Sequence, residues 1–507
     1  MYRQVANHLI NLIREGRLQP GTFLPSTREM AELLDLHRKT VVAAYEELSL
    51  QDWTQTIPRK GVLVSRRLPE IKPRGFQPGG SGKRPAAALE AGPGSGPGGW
   101  ADTAPIAPYA GQTGFAFTSP VAYPSSAGAN PGPNPGANPG ANIPHPCLII
   151  NDGFPDIREA PLDLLLRECR RLAGSKAYGR SLMYGSSAGT DHLRAAFAGH
   201  LSATRGLAVG PDNLLVTRGA QMAIYLAAAM LIRPGDKVIV GASNYRFADA
   251  CFEQLGATLL RVPVDEQGID VEAVRALCAK YRVRMLYVIP HHHHPTTVTL
   301  SVERRMQLLE LIRAYNLPVI EDDYDYDFHY ASGPILPLAS ADHGGNVLYI
   351  GSFTKSLALS IRVGFLAAPA GFIRETVRLR RLMDLRGDNL LEEALAAMID
   401  NGDIGRYLKK AAKLFGERRD VLCHALEDQL GDLVRFKRPD GGLAVWAVFP
   451  PGYSLPDLSV RAAGLGLSVT DGSFYRFDGQ ENGLRIGFAS LSAEEIGEVV
   501  RILSACV

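Results

Sequence analysis

The chain has 507 residues, of which 46% are hydrophobic and 21% charged, and its formal net charge is +2. These values are ordinary for a globular protein, and the length predicts two or three domains. A charge so close to neutral says little about partners, so any nucleic-acid contact must come from a local pattern. No apolar run reaches the roughly 20 residues of a membrane span, and the start lacks a signal peptide's apolar segment. Six scattered cysteines without a C-x-x-C pair are typical of reduced thiols, so we expect a cytoplasmic protein.

Composition divides the chain into three parts. Residues 1–67 have helical patterns and end in a short basic stretch. Residues 68–146 are rich in Gly, Pro, Ala and Ser, a composition that cannot bury enough apolar surface to offset chain entropy, and we predict a flexible linker. Residues 147–507 alternate short β-rich runs with amphipathic segments. The chain therefore contains two candidate domains joined by a linker.

The pattern of the first part predicts two short helices followed by a β-hairpin. Ser26 and Glu29 have the spacing of a capping box that starts a helix. The stretch "QTIPRKGVLVS" has the pattern of a two-stranded wing. Two helices joined by a tight turn form a helix-turn-helix. The predicted apolar stripes are Met30, Leu33 and Leu34 in the first helix, and Val41, Val42, Tyr45 and Leu48 in the second.

Basic and polar residues occur where such a module would meet DNA. A helix that enters the major groove contacts base edges and phosphates with the residues at its start. A single exposed Arg or Lys is usually only a solvated surface residue, so the prediction depends on the order of the parts. The candidates are His37, Arg38, Lys39 and Thr40 at the start of the second helix, Arg28 at the start of the first, and Arg59 and Lys60 at the wing tip.

The segments "LPSTRE", "HRKTVVAAYEEL" and "RKGVLV" follow one another as they do in a known family of regulators. In this order they resemble the winged helix-turn-helix of the GntR family. The resemblance implies that Arg28, Arg38, Thr40 and the wing around Gly61 contact DNA.

The β-rich runs of the last part predict a largely parallel sheet that is buried on both faces, because they are short, apolar and interleaved with helical segments. In such sheets ligands bind beyond the carboxyl ends of the strands. The runs are residues 213–217, 237–241, 258–264, 285–290, 317–322, 347–352 and 363–369.

Two of these runs end in residues that carry chemistry. Lys355 follows the run 347–352, and a partly desolvated lysine at a sheet edge can form a Schiff base with an aldehyde. The run 317–322 leads into the acidic stretch "EDDYDYD" at 321–327, and a carboxylate there can keep a pyridine nitrogen protonated. Arg362 offers a guanidinium for a phosphate. A lone lysine is usually a surface residue, but together these groups meet the needs of pyridoxal 5′-phosphate.

Other residues add to this set. The backbone amides of Gly219, Ala220 and Gln221 would lie at a helix amino terminus, which binds anions. Tyr245 can stack on a planar ring. Arg485 can clamp a carboxylate, although a strand arginine more often forms a salt bridge with a neighbouring carboxylate.

Six segments of the last part resemble those of the fold-type I aminotransferases: "NDGFPD", "YGSSAGTDHLR", "TRGAQMA", "EDDYD", "SFTKS" and "LRIGF". The resemblance implies an internal aldimine on Lys355, Asp322 on the pyridine nitrogen and Tyr324 on the ring hydroxyl. It further implies that Arg362 binds the phosphate and Arg485 the carboxylate of an incoming amino acid.

The order of the two domains resembles the MocR subfamily of GntR-family transcriptional regulators. The expected fold is an amino-terminal winged helix-turn-helix plus an α/β fold-type I aminotransferase-like domain. The expected function is a regulator that senses an amine or amino acid by exchange of the internal for an external aldimine. The resemblance also implies a homodimer with swapped DNA-binding domains and an operator with paired half-sites. The alternative is a working aminotransferase with an appended DNA-binding domain.

The stretch "PHHHHPTT" at 290–297 follows a predicted strand. A histidine cluster is compatible with a metal site, but other ligands at helical spacing are absent nearby and we expect no metal. In the resembling regulators this segment has the pattern P-x-H-Q-x-P-T-G. His292 matches the histidine, whereas Thr297 stands at the glycine position. We expect His292 and His294 to line the cofactor pocket, with His294 next to the ring.

Overall fold

The computed structural model describes most of the two candidate domains. The predicted linker at 68–146 and the predicted DNA contact Arg59 lie outside the described residues. The described residues are 5–6, 9–10, 12–13, 18–34, 36–50, 53–57, 60–66, 148–175, 179, 185–330, 335–475 and 481–507.

The amino-terminal domain has the predicted order of elements. Helices α1 (Thr27–Leu33) and α2 (Arg38–Leu50) precede an antiparallel hairpin of β1 (Thr54–Ile57) and β2 (Gly61–Val64). The capping box is present, since the Ser26 hydroxyl accepts from the Glu29 amide and the Glu29 carboxylate accepts from the Ser26 amide. The helix-turn-helix with its wing is therefore confirmed as a fold.

The predicted apolar stripe of the first helix is wrong at one position, Leu33. Leu33 is 74% exposed, whereas Met30 and Ala31 are buried. A helix turns about 100° per residue, so the face that contains Met30 and Ala31 also contains Leu34 but not Leu33.

The carboxy-terminal domain is built on a large sheet. The described strands of this domain are β3 (Leu148–Ile149), β4 (Leu214–Thr217), β5 (Lys237–Gly241), β6 (Thr258–Val262), β7 (Val264–Asp265), β8 (Gly268–Ile269), β9 (Val283–Val288), β10 (Val319–Asp323), β11 (Val347–Ser352), β12 (Gly364–Ala367), β13 (Arg435–Phe436), β14 (Ala444–Phe449), β15 (Leu467–Ser468) and β16 (Asn482–Gly487).

Seven of these strands form the large sheet within the described residues, in the order β4, β12, β11, β10, β9, β5, β6. β12 is antiparallel to both of its neighbours, and the other pairings are parallel. All seven predicted runs occur in this sheet.

Both faces of the sheet are buried, as predicted. Along β11, Val347 and Tyr349 belong to one hydrophobic core, and Leu348 and Ile350 belong to the other. The helices are α3 (Leu162–Ala173), α4 (Asp191–Arg205), α5 (Ala220–Leu231), α6 (Arg246–Gln254), α7 (Val271–Lys280), α8 (Val302–Tyr315), α9 (Ala370–Arg381), α10 (Asn389–Asp400), α11 (Asp403–Leu430), α12 (Leu455–Gly464) and α13 (Ala493–Ala505). Among the described helices, we find none with the length and apolar character of a membrane span.

The sheet places the candidate cofactor residues at the carboxyl ends of two neighbouring strands. β10 and β11 are parallel neighbours, with Asp322 opposite Ile350 and Asp323 opposite Gly351. Lys355 follows the end of β11 by three residues. A separate antiparallel sheet of β13, β14 and β16 carries Arg485.

Candidate cofactor and effector site

Lys355 is a half-buried lysine in contact with aromatic and polar groups. Its Nζ lies 4.5 Å from the centre of the Tyr324 ring and donates to the Asp152 carbonyl oxygen at 3.5 Å. Burial lowers the pKa of Lys355, against the opposing charge of Asp152. A lower pKa makes the neutral, nucleophilic amine more accessible near neutral pH.

Asp322 is a buried carboxylate with one oxygen available. Its Oδ2 accepts a hydrogen bond from the Tyr287 hydroxyl at 2.7 Å, whereas Oδ1 has no partner within the described residues. Burial raises the pKa of Asp322 to about 7. The protonated nitrogen of a pyridine ring would offer Asp322 both a hydrogen-bond donor and a positive charge. Sequence reasoning missed Tyr287, because it lies inside a run that served only to predict a strand.

The start of α5 and Arg362 meet at a candidate anion site. Gly219 is the N-cap of α5, with φ +81° and ψ 174°, and Ala220 and Gln221 begin the helix. A Cβ atom added at Gly219 would lie 2.8 Å from Arg362 Nη2, and that nitrogen donates to the Arg218 carbonyl oxygen at 3.3 Å. Helix amides and a guanidinium together suit a phosphate.

Tyr324 and Tyr245 lie on two sides of the same cluster. The Tyr324 hydroxyl donates to the His292 carbonyl oxygen at 2.8 Å and accepts from Arg485 Nη2 at 3.2 Å. Tyr245 precedes α6, and its ring meets the His294 ring edge-on, with centroids 5.5 Å apart. Each predicted aromatic residue is therefore close to the predicted polar ones.

Arg485 is fully buried and is already paired. Its Nε lies 3.1 Å from Asp152 Oδ1. This is the second of the two outcomes expected for a strand arginine, a salt bridge with a carboxylate neighbour. Sequence reasoning missed Asp152 as a site residue, although it lies in the quoted segment "NDGFPD", because 333 positions separate it from Arg485.

The four histidines at 291–294 are buried but do not converge. No group of three or more potential metal ligands comes together in the part of the chain that the structure describes. Each ring has its own partner: His291 the Ile335 carbonyl oxygen, His292 Asp325, His293 the Thr296 hydroxyl, and His294 Asp152.

The structure corrects the prediction for His292. Its ring lies 2.9 Å from Asp325 and stacks on His329, and only its carbonyl oxygen contacts Tyr324. His292 has φ +47°, so its side chain leaves the chain in another direction from that of an extended residue. His294 does lie against Tyr245, as expected for a pocket wall.

The predicted DNA contacts lie on the surface of the amino-terminal domain. Arg28, Arg38, Lys39, Lys60 and Gly61 are exposed, and Thr40 is half-buried. Arg38 Nε donates to the Thr27 hydroxyl at 3.3 Å, which links the starts of the two helices. Lys60 lies in the hairpin turn, and Gly61, with φ +119°, begins β2.

The residues present fit pyridoxal 5′-phosphate. Lys355 supplies a half-buried amine with a lowered pKa, Asp322 a carboxylate oxygen without a partner among the described residues, and Arg362 with the start of α5 an anion site. When bound, this cofactor supplies an aldehyde for reaction with primary amines and a ring that withdraws electrons.

Comparisons with known proteins agree with the two-domain fold and with the cofactor. Residues 154–503 match the family model "Aminotransferase class I and II", and residues 1–64 match "Bacterial regulatory proteins, gntR family". The chain therefore belongs to the class I and II aminotransferase family, and its cofactor is pyridoxal 5′-phosphate. With a gntR-family domain in front of this domain, it has the architecture of the MocR type of helix-turn-helix regulator.

Relatives of both kinds exist. The HTH-type transcriptional regulator TauR of Rhodobacter capsulatus is 28% identical and matches 97% of this chain and 94% of its own length. The probable rhizopine catabolism regulatory protein MocR of Rhizobium meliloti is 26% identical and matches 99% of this chain and 93% of its own length. The structure of LysN, the α-aminoadipate aminotransferase of Thermus thermophilus, is 28% identical, with a TM-score of 0.66 over 71% of this chain and 92% of that one. It was solved with N-(5′-phosphopyridoxyl)-L-leucine.

We expect Gly219→Ala to weaken cofactor binding about 10-fold or more, because the new Cβ would displace Arg362 and a hydrogen bond to a charged group is worth about 1.5–3 kcal/mol. The measurement is a titration of apo-protein with pyridoxal 5′-phosphate. Gly235→Ala is the matched control, because Gly235 has φ +87° but open space around its Cβ position. Equal affinity of Gly219→Ala and wild type would place the phosphate elsewhere.

We expect the buried Asp322 carboxyl to make the apo-protein less stable as the pH rises from about 4 to 7. Its folded-state pKa is about 7 against an ordinary value of 3.8, so the folded chain holds a proton that the unfolded chain releases. The free energy of unfolding of Asp322→Asn minus that of wild type should therefore grow over this range, by at most about 4 kcal/mol. Denaturant unfolding at several pH values measures it, with the surface variant Asp212→Asn as control. A difference that does not change with pH would contradict the raised pKa of Asp322.

Proposed function

We propose that this protein is a transcriptional regulator in which an amine or amino-acid effector displaces Lys355 from pyridoxal 5′-phosphate and thereby alters DNA binding. The observation that carries the proposal is the combination of a complete cofactor cluster with exposed Arg38 and Lys39 at the start of a recognition helix. We further propose residues 1–67 and 147–507 as the bounds of the two domains.

The exchange at Lys355 gives two states that differ in contacts. In one state the lysine is held covalently. In the other its amine is free, half-buried, and within reach of the Asp152 carbonyl oxygen. A ligand shifts a conformational equilibrium by its differential affinity for the two states. The change at Lys355 supplies such a difference.

Assembly as a homodimer, with DNA-binding domains exchanged between subunits, is part of the proposal. Leu382, Met383 and Leu385 are large apolar residues that are 80%, 49% and 57% exposed. Such a patch favours burial against a partner. Two DNA-binding domains in one dimer imply an operator with paired half-sites.

A second candidate function is transamination. The lowered pKa of Lys355 favours it, because a released neutral lysine can move a proton at the cofactor. The domain also shares its family with enzymes. Incubation of the protein with an amino acid and a 2-oxo acid separates the two functions. Steady production of a new amino acid over many turnovers would contradict the proposal that the protein is a regulator without enzyme activity.

We expect Lys355→Ala to abolish the absorption band of lysine-bound cofactor and to make DNA binding insensitive to amines. The measurement pairs absorption spectra with a DNA-binding assay on one preparation. Lys413→Ala is the control, since this lysine side chain is 81% exposed, and it should behave as wild type. Retention of the covalent band in Lys355→Ala would exclude this lysine.

We expect Arg38→Ala to weaken binding to an operator selected in vitro by about 10-fold or more, because a good base contact is worth about 1–3 kcal/mol. The cofactor spectrum should not change. Arg378→Ala removes the same charge from an exposed position on α9 of the other domain and should leave DNA binding intact. If both variants weaken binding equally, the effect is one of overall charge and the contact is not specific.

A further inference from the structure

The guanidinium of Arg485 has an acceptor for every nitrogen inside the protein. Nε lies 3.1 Å from Asp152 Oδ1, Nη1 donates to the Pro295 carbonyl oxygen at 2.9 Å, and Nη2 donates to the Tyr324 hydroxyl at 3.2 Å. Its side chain has no exposed surface. An effector carboxylate would therefore find the positive charge of Arg485 already neutralised.

Asp152 is held in this position by further donors. Its Oδ1 accepts from the Tyr475 hydroxyl at 2.8 Å, and its Oδ2 lies 3.1 Å from His294 Nε2. Although burial favours the neutral acid, His294, Arg485 and Lys355 hold the pKa of Asp152 well below its ordinary value. The carboxylate is therefore charged at neutral pH, and its side chain keeps 20% exposure.

This arrangement treats two classes of effector differently. An α-amino acid must place its carboxylate against Arg485, which requires Asp152 to leave or two like charges to share one guanidinium. Separating a buried ion pair, or adding a like charge to it, is unfavourable. A primary amine without that carboxylate leaves the pair intact and avoids this cost.

The side chains around Asp152 and His294 favour an apolar effector body. The Phe474 and Tyr475 rings lie 6.4 and 6.0 Å from the His294 ring, centre to centre. Phe247 packs against both Tyr245 and Phe474. Aromatic side chains suit apolar and aromatic groups, and their faces attract cations.

We propose that the effector is a primary amine that lacks a carboxylate on the carbon bearing the amino group, because Asp152 occupies the place on Arg485 that such a carboxylate would take. This inference rests on the proposed exchange at Lys355. It replaces the expectation that Arg485 clamps the carboxylate of an incoming amino acid, and it gives "NDGFPD" a role in specificity.

The test is a spectral titration of the full-length protein loaded with pyridoxal 5′-phosphate. The probes are two matched pairs that differ only by the carboxylate: phenethylamine with phenylalanine, and butylamine with norvaline. We expect half-saturation by each amine at a concentration about 10-fold or more below that of its amino acid. DNA binding is followed in the same samples.

Two variants separate the charge from the hydrogen bonds. Asp152→Asn removes the charge and should shift the preference of both pairs towards the amino acid by about 10-fold or more. Tyr475→Phe removes one hydrogen bond to Asp152 but keeps the ion pair with Arg485, and should retain the preference for the amine. The wild-type titration alone decides the inference if Asp152→Asn does not fold.

The outcomes distinguish this inference from the function on which it rests. Amino acids that bind the wild type as tightly as their amines, or more tightly, overturn the inference and leave the exchange at Lys355 in place. An unchanged preference in folded Asp152→Asn also overturns it. Absence of any spectral response to all four probes overturns the proposed exchange itself. A preference for amines that Asp152→Asn removes supports both.

Discussion

The carboxylates that follow one another at the end of β10 impose the main constraint on this domain. An ionised carboxylate in an apolar interior is costly unless charge and hydrogen bonds compensate it. The partners come from several elements: Glu321 accepts from the amides of Leu338 and Ala339, Asp323 from the Tyr349 hydroxyl, Asp325 pairs with His292, and Asp327 pairs with Arg205. Among the described residues, Asp322 has only the neutral Tyr287 hydroxyl as its donor. It is therefore the member of the run that is best placed to serve a cofactor.

This constraint also explains the run of histidines. Asp323 raises the pKa of His291 despite burial, whereas burial lowers the pKa of His293 to about 3. The rings of His291 and His292 pair with the buried acids Asp323 and Asp325. His294 turns to the opposite side and contacts Asp152. Adjacent residues of one type thus belong to the support of the fold and to the wall of the pocket.

Local patterns predicted the elements of this chain well. The seven runs became the seven strands of the large sheet, since short apolar segments bounded by helices have few other solutions. Lys355 and Asp322 lie at the same end of the sheet because the parallel strands β10 and β11 end together. Arg362 reaches that end because it precedes β12, which runs antiparallel to β11. The roles of His292 and Arg485 were not predictable in the same way. They depend on a left-handed backbone residue and on a contact across 333 positions, and neither feature leaves a periodic signal in the sequence.

The position of Asp152 along the chain ties the pocket to the start of the carboxy-terminal domain. Asp152 lies three residues after β3, and β3 is the first described strand of that domain. β3 is short and pairs with β15, and the residue before Asp152, Asn151, accepts from the Gly487 amide and donates to the Ser490 hydroxyl. The proposed effector leaves the pair between Asp152 and Arg485 intact, so it also leaves this first strand anchored to the sheet that carries Arg485.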